Sequence, residues 1–146
     1  NVMRMSLLRS TKDPDQVADL GGQKFSYAIM PHRDGWREAG VVAEGYRFNS
    51  PVVFAPGKVE PRSLASVDSP NLVIDTIKRA EDSEAIVLRL YEPYGGRGES
   101  RITLDVDFAS VHRANLLEEP GDAVAVEDGA IVVPYRPREV ITLLVA

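Results

Sequence analysis

Apolar and polar residues alternate along much of this chain, and the alternation has the two-residue period of strands. From Val2 to Leu8, Met3, Met5 and Leu7 alternate with Arg4 and Ser6. Phe25, Tyr27 and Ile29 alternate with Lys24, Ser26 and Ala28. Successive side chains of an extended backbone point to opposite faces, so both segments read as half-buried strands. Further strand-like runs cover residues 64–67, 72–79 and 85–91, separated by Ser69-Pro70-Asn71 and Glu81-Asp82-Ser83. Ile102, Leu104 and Val106 alternate next, followed by runs at 111–117, 124–126, 131–133 and 140–145. Many short strands with turn residues between them predict an all-β sandwich or barrel.

One segment has a different period. Asp34 is placed to cap a helix over residues 35–48, in which Trp36, Ala39, Ala43 and Tyr46 would form an apolar face. Gly40 and Gly45 weaken that helix, and Asn49-Ser50-Pro51 ends it. The loops at 10–23 and 55–63 are rich in proline, glycine and polar residues. No stretch reads as a linker, so 146 residues are expected to form a single domain.

Composition narrows the function classes. The chain has no cysteine, which removes disulfides, thiolate metal sites and a cysteine nucleophile. A reducing, cytoplasmic setting is the expectation that follows. The net charge is −5, and seventeen basic residues are scattered among twenty-two acidic ones, so nucleic acid is not an expected partner. Apolar runs are only a few residues long, so a membrane is not expected either. The opening Asn1-Val2-Met3 enters a strand pattern at once, and the chain is expected to be a piece of a longer protein.

Tests for local chemistry give little. His32 and His112 are isolated, and each reads first as a loop or turn histidine bonded to backbone. Asp13, Asp15 and Asp19 share one polar loop, but their spacing does not match a helix-loop-helix calcium site. Tyr94-Gly95-Gly96-Arg97-Gly98 lacks the following helix of a phosphate loop and reads as a hairpin turn. Glu118-Glu119 and Glu81-Asp82 do not form an acid/base couple. Trp36 and Tyr91 are the aromatics best suited to stack on a sugar, but the core reading is preferred for both. No catalytic or metal-binding residue is assigned.

Several stretches, taken together and in order, resemble the C-terminal β-domain of glycoside hydrolase family 38, the α-mannosidases of bacterial type. They are Ser6-Leu7-Leu8-Arg9-Ser10 with Pro14-Asp15 and Ala18-Asp19, then residues 25–32, then Trp36-Arg37-Glu38-Ala39-Gly40 and Asn49-Ser50-Pro51. Residues 73–82 leading into 86–92, then Ala114-Asn115-Leu116-Leu117-Glu118 and residues 138–143, complete the set. Two positions depart from the family pattern: Gln23-Lys24 stands where a histidine is common, and Thr11 where a proline is.

The resemblance implies a β-sandwich or supersandwich that buttresses an N-terminal catalytic domain of the same chain. That missing domain would carry the aspartate nucleophile and a zinc ion and would hydrolyse terminal α-mannosides with retention. The present chain would then be non-catalytic and hold no cofactor. Loops on a rigid scaffold often carry ligand contacts, so Arg9, Asp15, Asp19 and His32 are the candidates for reaching the α-mannoside substrate. Two other classes stay open: a stand-alone carbohydrate-binding module, and a protein-interaction module. Aromatics at 7% argue against the first, which needs an exposed aromatic platform. The second predicts an apolar docking patch and a possible homo-oligomer.

Overall fold

The computed structural model describes residues 2–50, 52–58 and 60–146. The chain divides into two compact units, 1–41 and 42–146.

The second unit is a two-sheet β-sandwich. After the helix α1 (Val41–Asn49), which begins one residue before the boundary between the units, come β1 (Ala65–Val67), β2 (Val73–Arg79), β3 (Ile86–Tyr91), β4 (Gly98–Leu104) and β5 (Val111–Ala114). Then come β6 (Pro120–Ala123), β7 (Ala125–Glu127), β8 (Ala130–Tyr135) and β9 (Val140–Val145). One sheet has the order β1-β4-β8-β7 and the other β2-β3-β9-β5-β6, and their pairings are antiparallel. The all-β sandwich with one short helix is therefore the observed fold.

The core forms where alternate residues of both sheets meet. Leu88 and Leu90 of β3 join Ile141, Leu143 and Val145 of β9, and Ile102, Ile131 and Val133 come from the other sheet. Each is essentially closed to solvent. On the reverse face of β3 and β9, Arg89 pairs in register with Thr142 and donates from Nε to its Oγ1 at 3.2 Å. The alternation in sequence is thus the alternation between sandwich interior and outer face.

Local structure departs from the reading of the sequence at four places. The helix starts at Val41, not at residue 35. Gly40 adopts φ +70°, the Val41 N–H bonds to the Trp36 carbonyl at 3.1 Å, and the Gly40 N–H bonds to the Arg37 carbonyl at 3.0 Å. This is a Schellman cap, so the turn from Gly35 closes at Gly40 and a separate helix follows. Its half-buried residues are Val41, Val42 and Tyr46, while Trp36 and Ala43 are exposed, so the expected continuous face through Trp36, Ala39, Ala43 and Tyr46 does not form.

The segment at 94–98 is not a hairpin. Gly95 has the positive φ expected of a turn glycine, but β3 and β4 lie in different sheets, so the loop carries the chain across the sandwich. The strand expected at 111–117 stops at Ala114. Asn115 Oδ1 accepts from the Leu117 and Glu119 N–H groups and turns the chain into β6. Glu118-Glu119 therefore lie in the connection between β5 and β6.

The fourth departure is the largest. Residues 2–8 and 25–30 belong to no sheet among the described residues, and their side chains are exposed. The expected half-burial fails because no strand of the described chain pairs with them. In the first unit no described residue is buried at all.

Candidate functional site

The sugar-side candidates lie in the first unit. Arg9 precedes Ser10, whose backbone takes a left-handed φ of 46°. The Ser10 N–H donates to Asp19 Oδ2 at 3.1 Å, and Asp19 is itself left-handed at φ 61°. Asp15 Oδ1 accepts from the Val17 N–H at 2.9 Å, and the Ala18 N–H bonds to the Asp15 carbonyl at 3.3 Å. A short aspartate side chain commonly stabilises its own turn in this way. The loop thus brings Asp19 against the backbone that carries Arg9, with Asp15 setting the turn between them. His32 Nδ1 instead lies 2.6 Å from the Asp34 carbonyl, within its own turn, as a turn histidine bonded to backbone.

Arg9, Asp15, Asp19 and His32 are all exposed. Their carboxylates organise backbone rather than face one another, so the loop presents polar groups without forming an acid/base pair. Trp36 is 40% exposed, which corrects the core reading, and the Arg37 guanidinium lies 5.3 Å from its ring centroid.

The second unit has a small crevice of about 250 Å³ lined by Val42, Gly45, Tyr46, Asn49 and Tyr91. The Tyr46 and Tyr91 rings are 6.4 Å apart and tilted by 31°. Tyr46 donates its hydroxyl to Asp75 Oδ1 at 2.8 Å. Asp75 is the extra residue of a β-bulge in β2, and the bulge re-aims its side chain. Burial raises the Tyr46 pKa, and its hydrogen bonds with Tyr91 and Asp75 add to the rise. The same Tyr46 bond, helped by the Thr76 hydroxyl, holds Asp75 below the ordinary carboxylate range. Tyr46 and Asp75 thereby tie α1 to the edge strand β2.

Three further carboxylates hold the sandwich together. Glu92 is 1% exposed. Its Oε1 accepts from the Tyr94 and Gly96 N–H groups, each at 2.9 Å, and its Oε2 from Gly95 at 2.7 Å and Arg138 at 3.0 Å. Burial pushes its pKa up, but the four donors outweigh burial and hold the carboxyl below its usual range. Asp68 Oδ1 accepts from the buried Ser100 hydroxyl at 2.6 Å and the Arg101 N–H at 2.9 Å, and these bonds lower its pKa. Glu118 accepts from Lys78 at 2.8 Å and from the Glu81 N–H at 2.9 Å.

None of these three was singled out from sequence as a structural anchor. Glu92 had a readable signal, since an acceptor three residues before a Gly-Gly pair suits a nest of successive N–H groups. The other two depend on strands far apart in the chain.

Residues 71–143 match the family described as "Glycosyl hydrolases family 38 C-terminal beta sandwich domain". The chain belongs to this family. The matched stretch runs from the approach to β2 into β9 and so covers most of the sandwich. Human alpha-mannosidase 2C1 is 34% identical over 99% of this chain. Alpha-mannosidase G of Dictyostelium discoideum is 38% identical over 79% of it. The alpha-mannosidase of Saccharomyces cerevisiae is 31% identical over 81%. The chain spans only 12–15% of the length of these relatives. In these relatives the matched region is one part of a longer protein.

Among the described residues, no group of three or more His, Asp or Glu side chains is placed to hold a metal ion.

Proposed function

We propose that the chain is the non-catalytic C-terminal β-domain of a retaining α-mannosidase that removes terminal α-mannosides. The nucleophile, the acid/base and the zinc site would be carried by the rest of the longer protein. The observation that carries this reading is the family 38 sandwich match at 71–143, in a chain that spans 15% of a protein named an alpha-mannosidase. The chemistry of the chain supports it. A retaining glycosidase needs two carboxyl groups flanking one bond, about 5–5.5 Å apart. Glu92, Asp68 and Glu118 instead accept hydrogen bonds from their own fold, and Asp15 and Asp19 brace a loop.

The rigid sandwich supplies a buttress, and the loop that carries Arg9, Asp15 and Asp19, with the turn at His32, supplies one wall of the substrate cleft. The test has two arms. The 146-residue chain alone, assayed with an aryl α-mannoside, releases no product above background. In the full-length enzyme, Arg9→Ala lowers kcat/KM by more than about tenfold, the scale expected when a charged group that contacts substrate is lost. Hydrolysis by the chain alone overturns the non-catalytic reading. Unchanged kinetics of a folded Arg9→Ala enzyme removes Arg9 from the cleft wall.

A further inference from the structure

The first unit has no interior of its own. No described residue between 2 and 41 is buried, although the segment contains many large apolar side chains. These are not scattered. Met3, Met5 and Leu7 alternate along one segment, Tyr27 and Ile29 along another, and together with Arg4 they line one groove of about 270 Å³. Met3 is 87% exposed, Tyr27 62% and Ile29 70%. Apolar residues with a period of two come to share one face once their backbone is extended, as in a sheet with one covered side. Contiguous apolar surface of this kind marks a site that another layer covers. Both segments also lack ladder partners among the described residues, which leaves backbone donors and acceptors for another strand to pair.

We propose that residues 2–8 and 25–30 form a docking strip for a β-layer carried by the rest of the same α-mannosidase chain. The strip completes a sheet there, with Met3, Met5, Leu7, Tyr27 and Ile29 facing the covering layer. Two observations favour this occupant over a second copy. The sandwich match begins only at residue 71, whereas the alignment with the human relative extends over 99% of the chain. The strip is therefore shared with the family yet lies outside the matched sandwich. The human relative also carries most of its length beyond this stretch, enough for further layers. The proposal rests on the accessory-domain reading above and locates the surface by which the domain joins its parent.

Hydrogen exchange tests it. The amides of 3–7 and 25–29 are compared in the 146-residue chain and in the full-length enzyme. They exchange at least about 100-fold more slowly in the full-length enzyme, while β3 and β9 are protected in both. Met5→Asp with Ile29→Asp in the full-length enzyme removes the protection of 2–30 and leaves that of β3 and β9. Equal exchange of the strip in the two wild-type proteins overturns the proposal. Protection that instead appears in the short chain as its concentration rises, with a dimer in sedimentation, also overturns it and assigns the strip to a second copy. Neither result depends on whether the short chain hydrolyses mannosides, so failure of the docking strip is separable from failure of the accessory reading.

Discussion

Replacing Glu92 with glutamine is the sharpest test of what holds this sandwich together. The carboxylate has two oxygens, and each accepts two backbone N–H groups. Three of the donors lie in the loop from β3 to β4, and the fourth is Arg138 in the turn before β9. Glutamine keeps the size of the side chain but offers one oxygen and one NH2. Whichever way the amide is turned, its NH2 faces two N–H donors. Two hydrogen bonds to a charged acceptor are lost in a closed site, at roughly 1.5–3 kcal/mol each, and relaxation recovers a part. The expected loss is about 3 kcal/mol, a fall in Tm of roughly 10 °C for a chain of this size.

Urea unfolding at pH 7, followed by tryptophan-independent circular dichroism, measures it as a lower midpoint with unchanged slope. The sign with pH is also set. The folded-state pKa of Glu92 lies below its ordinary value of 4.5, so its stabilisation is fully present above about pH 4.5. It is lost as pH falls through the lower folded value. The gap between wild type and Glu92→Gln is therefore flat from pH 7 to 5 and narrows below that. Equal midpoints at pH 7, or a gap unchanged down to pH 3, would refute the reasoning.

Other perturbations separate the remaining contributions. Leu88→Ala removes a fully buried side chain at the centre of the core and should cost about 2–5 kcal/mol in the same unfolding experiment. Asp68→Ala deprives the buried Ser100 hydroxyl of its acceptor and should lower the midpoint, whereas Asp68→Asn keeps an oxygen for the Ser100 and Arg101 donors and should stay close to wild type. Gly95 has φ +81°, so Gly95→Ala should destabilise by about 1 kcal/mol through backbone strain. Tyr46→Phe removes the hydroxyl that bonds Asp75 and Tyr91 and should raise the Asp75 pKa, read from its carboxyl chemical shift during an acid titration.

The candidate site was legible only in part. The loop of Arg9, Asp15 and Asp19 could be picked out because its polar, proline-containing stretch interrupts a strand pattern. That Asp19 closes onto the Ser10 N–H could not, since the bond spans nine residues and needs two left-handed backbones. Trp36 was misread for a related reason. Its large apolar surface predicts burial, but the Schellman cap at Gly40 ends the turn that would have continued its face into α1. One local signal went unused: Asp128-Gly129, both left-handed, make the two-residue turn that joins β7 to β8.

What the sequence by itself determined is the class of the fold. A period of two, repeated in short runs between turn residues, commits the chain to strands with one face inward. Most of β1–β9 falls within a predicted run, because alternation is a property of each strand alone. Which strands pair is a different matter. β3 meets β9 across half a hundred residues, and the loop at 92–97 crosses between sheets although its glycines look like a hairpin. Those choices are made by burial of the whole core and by Glu92, which joins N–H groups from two distant loops. The tertiary structure also decided where alternation fails to become a sheet. Residues 2–8 and 25–30 carry the strand pattern as clearly as β3 does, but a strand is stable only when its ladder and its apolar face are both satisfied, and the described chain supplies neither.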